Sequence, residues 1–178
     1  MHKGEKRKGF SNVGLFIDDY DDIFSDFDSR PYSQKLLSED LLNEMDRVTK
    51  DKKDDNIELK FFVPKEKRNI STESIIKKRI KVYFKKHFIL SKRAKRKVLM
   101  EGFLFSFFGV FFMILATFFT TRESQSSIII FLAVLFEPAG WFLFWEGLDL
   151  MIFESKEKSS KLEFYKKLSK SKIIFEDS

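Results

Sequence analysis

The sequence has no cysteine, two histidines, three prolines and seven glycines among 178 residues. Without cysteine there is no disulfide framework, no thiolate metal site and no cysteine nucleophile, and two histidines do not furnish a histidine-rich metal centre. No Gly-rich phosphate loop or serine nucleophile elbow occurs, and the acids are scattered. These absences argue against an enzyme and for a chain with no cofactor and no metal. Residues 1–9 are polar and no apolar stretch follows before residue 100, which predicts no secretory signal.

What is present is segregated. Twenty-three Phe raise the aromatic share to 16% in a chain that is also 34% charged, and the apolar residues concentrate in 102–153. The net charge of +6 divides as +3 over residues 1–9, −8 over 10–46, +1 over 47–60, +12 over 61–100, −4 over 101–153 and +2 over 154–178. The basic run feeds straight into the apolar segment, and that placement favours an anionic lipid surface over nucleic acid.

Residues 102–121 carry no charge and eight of them are Phe. As a helix they are about 30 Å long, the thickness of a hydrocarbon core. A short polar turn over residues 122–126 precedes a second apolar stretch, 128–148, whose first 18 residues are broken only by Glu137. The alternative, a buried hairpin in a soluble protein, lacks another layer thick enough to cover so many apolar residues. Eight Lys and Arg in residues 81–100, one in the turn and seven in 154–173 put both termini in the cytoplasm of a cell (inner) membrane protein by the positive-inside rule. Lys85, Lys86, Lys92, Arg93, Lys95, Arg96 and Lys97 are then the residues expected to touch anionic headgroups.

Glu137 falls near mid-bilayer, where a charged carboxylate costs at least a few kcal/mol. Pro138 removes the amide that would bond the Val134 carbonyl, so a protonated Glu137 donating to a freed carbonyl makes a self-satisfied kink. The alternative is an ion or proton site facing copies of itself or a small cavity. Trp141 and Trp145, one turn apart at the inner end of this span, read as interfacial anchors, with a ligand cage as the alternative. Glu146 and Asp149 share a helical face just beyond them. Pairing with Lys156, Lys158 or the basic block is the expected role for these two acids, and a divalent-ion site for lipid chemistry is the weaker one.

Outside the hairpin, residues 57–63 alternate apolar and charged before Pro64, which reads as a strand. Ser71 is a candidate cap for a helix on which Ile76, Ile80, Phe84 and Phe88 recur every fourth residue, and no Gly or Pro interrupts 71–100. That predicts a basic stalk helix running unbroken into the first span, with His87 an ordinary packed residue beside Tyr83. Leu162, Tyr165 and Leu168 fit a short amphipathic helix, and residues 172–176 read as a strand that pairs with 57–63 and packs on the stalk stripe or on another subunit. The acidic start, where Asp18, Asp19, Asp21, Asp22, Asp26 and Asp28 alternate with aromatic and aliphatic residues, reads as a weakly structured arm. It lacks the spacing of a calcium loop. A short helix near 38–50 follows, and the arm is expected to compete with anionic lipid for the stalk lysines.

The predicted organisation is therefore an arm over 1–50, a strand and basic stalk over 51–100, a transmembrane hairpin over 101–153, and an amphipathic helix with a terminal strand over 154–178. The fold class is a mainly α membrane protein with a small two-stranded β element. Residues 26–42 (Asp-Phe-Asp-Ser-Arg-Pro-Tyr followed by Leu-Leu-Ser-Glu-Asp-Leu-Leu), the strand ending in Val63-Pro64, the basic stalk and Gly140-Trp141-Phe142-Leu143-Phe144-Trp145-Glu146 together resemble an uncharacterised family of small prokaryotic membrane proteins with two helices. That resemblance implies the architecture and no activity. The functional expectation is a non-enzymatic, membrane-anchored scaffold that forms a homo-oligomer and recruits a protein partner. A small oligomeric channel or transport subunit using Glu137 is the alternative.

Overall fold

The computed structural model describes residues 11–50, 52, 57–121 and 126–178. The polar turn at 122–125 lies outside them. The chain divides into two units, residues 1–89 with 163–178, and residues 90–162.

The first unit is built on a three-stranded sheet in the order β1-β2-β3, with β1 Ser11–Phe16, β2 Ile57–Val63 and β3 Lys172–Asp177. The expected pairing of 57–63 with the terminal strand is present, in the register Leu59 to Ile173 and Phe61 to Phe175. Both pairs are parallel, so each connection must leave the sheet and return through helix. β1 reaches β2 through a 3-10 turn, Tyr20–Ile23, and helix α1, Glu39–Lys50. The path from β2 to β3 uses helices α2, Ile70–Thr120, and α4, Ser155–Lys170, with the whole second unit between them.

Alternation along the strands gives the sheet one buried face, because successive side chains point to opposite sides. Val13, Leu15, Ile57, Leu59, Phe61, Val63, Ile173 and Phe175 point inward, onto Ile76, Ile80 and Phe84 of α2, Met45 of α1 and Leu168 of α4. The predicted stripe on α2 thus meets the sheet, except that Phe88 is only half-buried. On the open face the Lys60–Glu176 and Lys172–Glu58 ion pairs cross the strands, at 2.7 and 3.1 Å. Phe16 stacks there on Phe62 with centroids 4.8 Å apart.

Three expectations need correction. The two-stranded element is a three-stranded sheet, and its third member comes from the acidic segment expected to be weakly structured. The acids that suggested disorder instead satisfy backbone amides. Asp19 caps the 3-10 turn, Asp22 accepts from the Asp18 and Asp19 amides, and Asp28 accepts from Leu36 N at 2.7 Å while pairing with Arg30. Ser71 does not cap α2. Asn69 does, its Oδ1 accepting from Thr72 N at 3.1 Å, so the helix starts at Ile70.

The second unit contains the last part of α2, helix α3, Ser127–Asp149, a π turn at Leu150–Glu154 and the start of α4. α2 runs unbroken to Thr120, as expected of a stalk continuous with the first apolar stretch. α2 and the helix formed by α3 and α4 are each long and apolar enough to cross a membrane, and only 17% and 6% of their most apolar stretches is buried within the molecule. A core hairpin of a soluble protein would bury most of that surface.

α2 and α3 meet along small residues seven apart: Gly102, Gly109 and Ala116 on one, Ala133, Gly140 and Gly147 on the other. The four glycines and Ala116 are buried. A Cβ on Gly109 would stand 2.5 Å from Phe144 N, and one on Gly140 2.9 Å from Gly109 O. Phe136 of α3 stacks on Phe112 and Phe119 of α2, with centroids 5.2 and 6.1 Å away. A seven-residue repeat keeps one face of each helix on its partner, the geometry of coiled-coil packing.

Candidate functional site

Gly102 beside Gly147 and Gly109 beside Gly140 fix an antiparallel register. The remaining faces of both helices follow from it. On α3 the side away from α2 is a strip of exposed residues, with Phe142 68% and Trp145 58% exposed, and Glu146, Asp149, Ile152 and Phe153 following. These residues line an open groove of about 350 Å³. The π turn begins immediately after Asp149, and such turns recur at functional sites.

Neither the Glu146 nor the Asp149 carboxylate has an ion pair or hydrogen bond among the described residues. The expected pairing with Lys156 or Lys158 is absent, since Lys158 pairs with Glu154 at 3.6 Å. Trp141 and Trp145 do form a unit, stacked with centroids 6.2 Å apart and an interplanar angle of 20°. Both rings are about half exposed.

Glu137 is exposed and its carboxyl group has no hydrogen bond or ion pair among the described residues, so the hydrogen bond to a carbonyl freed by Pro138 is not formed. The hydroxyls of α2 offer it nothing, because Thr117 and Thr120 donate to Met113 O and Ala116 O of their own helix, at 2.9 and 2.8 Å. Ser106 Oγ is buried against Gly147 and has no partner among the described residues. The structure brings Glu146 and Asp149 together with Trp145, and leaves Glu137 apart from them, half a turn around a straight helix from Glu146.

The basic run is exposed along α2 at Lys85, Lys86, Lys92, Arg93, Arg96 and Lys97, with Lys95 half-buried. Lys97 pairs with Glu101 at 3.5 Å, and the other six have no ion pair among the described residues. The acidic segment does not neutralise them. It docks on α2 chiefly through Arg79, which donates to the carbonyls of Lys35 and Gln34 at 2.8 and 3.1 Å. Among the described residues, one ion pair, Lys67–Asp19 at 3.3 Å, joins the arm to the basic segment.

Two features escaped the sequence reading. The first is a network around Glu73, a buried acid in the first turn of α2 that takes a two-pronged ion pair from Arg68 at 2.9 and 3.1 Å. Tyr20 donates to it at 3.2 Å, and Arg68 also binds Asp177 and the Phe175 carbonyl, so the network ties α2 to β3. Arg68 is held further into its cationic form by Glu73 and then Asp177. The second is an aromatic stack in which His87 lies 4.2 Å from Tyr83 and 5.2 Å from Tyr165. Burial pushes the Tyr83 hydroxyl up to about 12. It also holds His87 below its usual value, helped by Lys86 and Arg79. Both features join elements of the first unit. The adjacency of Tyr83 and His87 on one helix was the only sequence signal for either.

Comparison of the chain with protein-family models, with curated proteins and with solved structures gives no match.

Proposed function

We propose that the chain is a non-enzymatic integral membrane protein of the cell membrane. Its apolar hairpin anchors a cytoplasmic α/β unit, and its basic stalk reads anionic headgroups. The observation that carries this reading is the basic run itself: among the described residues, six Lys and Arg from Lys85 to Arg96, five of them exposed, are left without ion pairs just before an exposed, charge-free apolar stretch of the same helix. Each basic residue held near an anionic surface contributes about 1 kcal/mol, so a cluster of this size gives firm and salt-sensitive contact. The α/β unit, with one open sheet face, is the part offered to a protein partner in a scaffold.

The test is lysine acetylation of the whole protein in nanodiscs, read peptide by peptide. Lys92, Lys95 and Lys97 should be acetylated several-fold more slowly in discs containing phosphatidylglycerol than in phosphatidylcholine discs, with the difference erased by high salt. Lys50, exposed at the end of α1, should not respond. Equal rates in both discs would overturn the headgroup contact.

Glu137 favours a second reading, a small channel or transport subunit, because an exposed and unpartnered acid at mid-span asks for water or a neighbouring helix. Dye-loaded vesicles containing the protein test it. A proton or cation leak that Glu137→Gln removes supports transport, and a tight vesicle with either chain excludes it.

A further inference from the structure

We infer that the outer face of α3, centred on Trp145, Glu146 and Asp149, docks on the outer face of α2 of a second copy, giving a head-to-tail assembly. The inference rests on the membrane reading above and adds the partner and the contact.

Depth and charge select this pairing of faces. In the antiparallel register set by Gly102 with Gly147 and Gly109 with Gly140, Phe107 stands level with Phe142, Leu104 with Trp145 and Met100 with Asp149. Every copy inserted in the same sense holds these residues at the same depth. Side by side, the exposed apolar strip of α2 (Leu104 48%, Phe107 57%) therefore faces that of α3 (Phe142 68%, Trp145 58%).

Lipid alone would cover two apolar strips, but the carboxylates of Glu146 and Asp149 lie without a cation in their own chain. The neighbouring copy brings one to that level. Lys97 starts three residues, or about 4.5 Å, to the cytoplasmic side of Met100. Its ammonium reaches back to Glu101 at 3.5 Å, which stands level with Leu148, between the two acids. Arg96, exposed and unpaired among the described residues, lies beside it. The charges thus match between different faces, whereas α3 against α3 would set acid on acid. A contact between unlike faces repeats around a ring when its rotation closes. It leaves Glu137, on another side of α3, outside the contact.

Because the chain has no cysteine, cross-linking tests this cleanly. Phe142→Cys and Phe107→Cys chains carrying different tags are co-expressed, their membranes are washed with carbonate, and a short bismaleimide is added. The mixed 142–107 product should exceed both symmetric products. Glu146→Gln with Asp149→Asn in the Phe142→Cys chain should lower its yield about fivefold at low salt, the effect of two lost surface-type ion pairs. Symmetric 142–142 product in excess, or no product from protein retained in the membrane, overturns the interface. Loss of the protein into the carbonate wash overturns the membrane reading instead. Both substitutions are apolar-to-small on lipid-side positions, and retention of the tagged chains in the washed membrane reports that they have folded and inserted.

Discussion

Gly109 shows how tightly a single position constrains the hairpin. The Cβ it lacks would lie 2.5 Å from Phe144 N and 2.8 Å from Gly140 O, and neither backbone atom moves without moving α3. Gly14, in β1, would place a Cβ 3.0 Å from an edge atom of the Phe62 ring, a side chain on the open face that turns aside. Gly109→Ala should therefore cost about 1–3 kcal/mol of hairpin stability, as overpacking does, and Gly14→Ala clearly less. Denaturation of the two variants in micelles checks this, and a Gly109→Ala hairpin as stable as the wild type would mean the helices do not approach so closely. In the sequence, Ala139 and Gly140 just after Pro138 offer a place where a helix can come close. The seven-residue spacing of Gly102, Gly109 and Ala116 against Ala133, Gly140 and Gly147 carries the real signal, and only a search at that period exposes it.

At the scale of elements, the join between α2 and α4 should weaken in acid. His87 is packed between Tyr83 and Tyr165, and burial, then Lys86 and Arg79, disfavours its cation. The folded chain accordingly takes up this proton at lower pH than the unfolded chain, whose imidazole titrates near 6.5. Stability from this group is complete above that value and declines as pH falls through and below it. Urea midpoints of the α/β unit should drop between pH 7.5 and 5.5, and His87→Phe, which keeps a ring in the stack, should flatten that part of the curve. Asp19 and Asp28, held below the usual carboxylate range by hydrogen bonds from backbone and Arg30, act only near pH 4 and below, so the two effects separate. An unchanged slope in His87→Phe would remove His87 as the cause. The α2 stripe, the strand at 57–63 and the strand beginning at Lys172 were legible because period four and period two stand out against charge. β1 was not: Gly14 and the acids after it mimic disorder, and its partner strand lies more than forty residues away.

For the whole molecule, four consecutive segments were expected and two interleaved units are found, because the sheet is assembled from strands that local patterning cannot connect. β2 and β3 pair across more than a hundred residues of intervening chain. The consequence is that the apolar hairpin is an insertion in a βαβ crossover. All of the buried cluster under the sheet, from Val13 to Phe175, comes from residues outside 90–162. Where the chain leaves and returns, His87 lies 5.2 Å from Tyr165 and Phe84 6.2 Å from Phe164, centroid to centroid, so Ile89 and Glu163 lie on neighbouring helices. A chain in which 90–162 is replaced by a short Gly-Ser linker should therefore fold as a soluble α/β unit with one cooperative unfolding transition. Phe175→Ala should destabilise it by about 3–5 kcal/mol, the usual cost of emptying a buried Phe site, because that ring is buried against Phe61. Circular dichroism and urea unfolding of the linked chain decide the matter. A soluble, cooperative domain makes the hairpin an anchor joined to an independent fold, whereas an unfolded or aggregated product would mean that the sheet depends on the apolar helices for its stability.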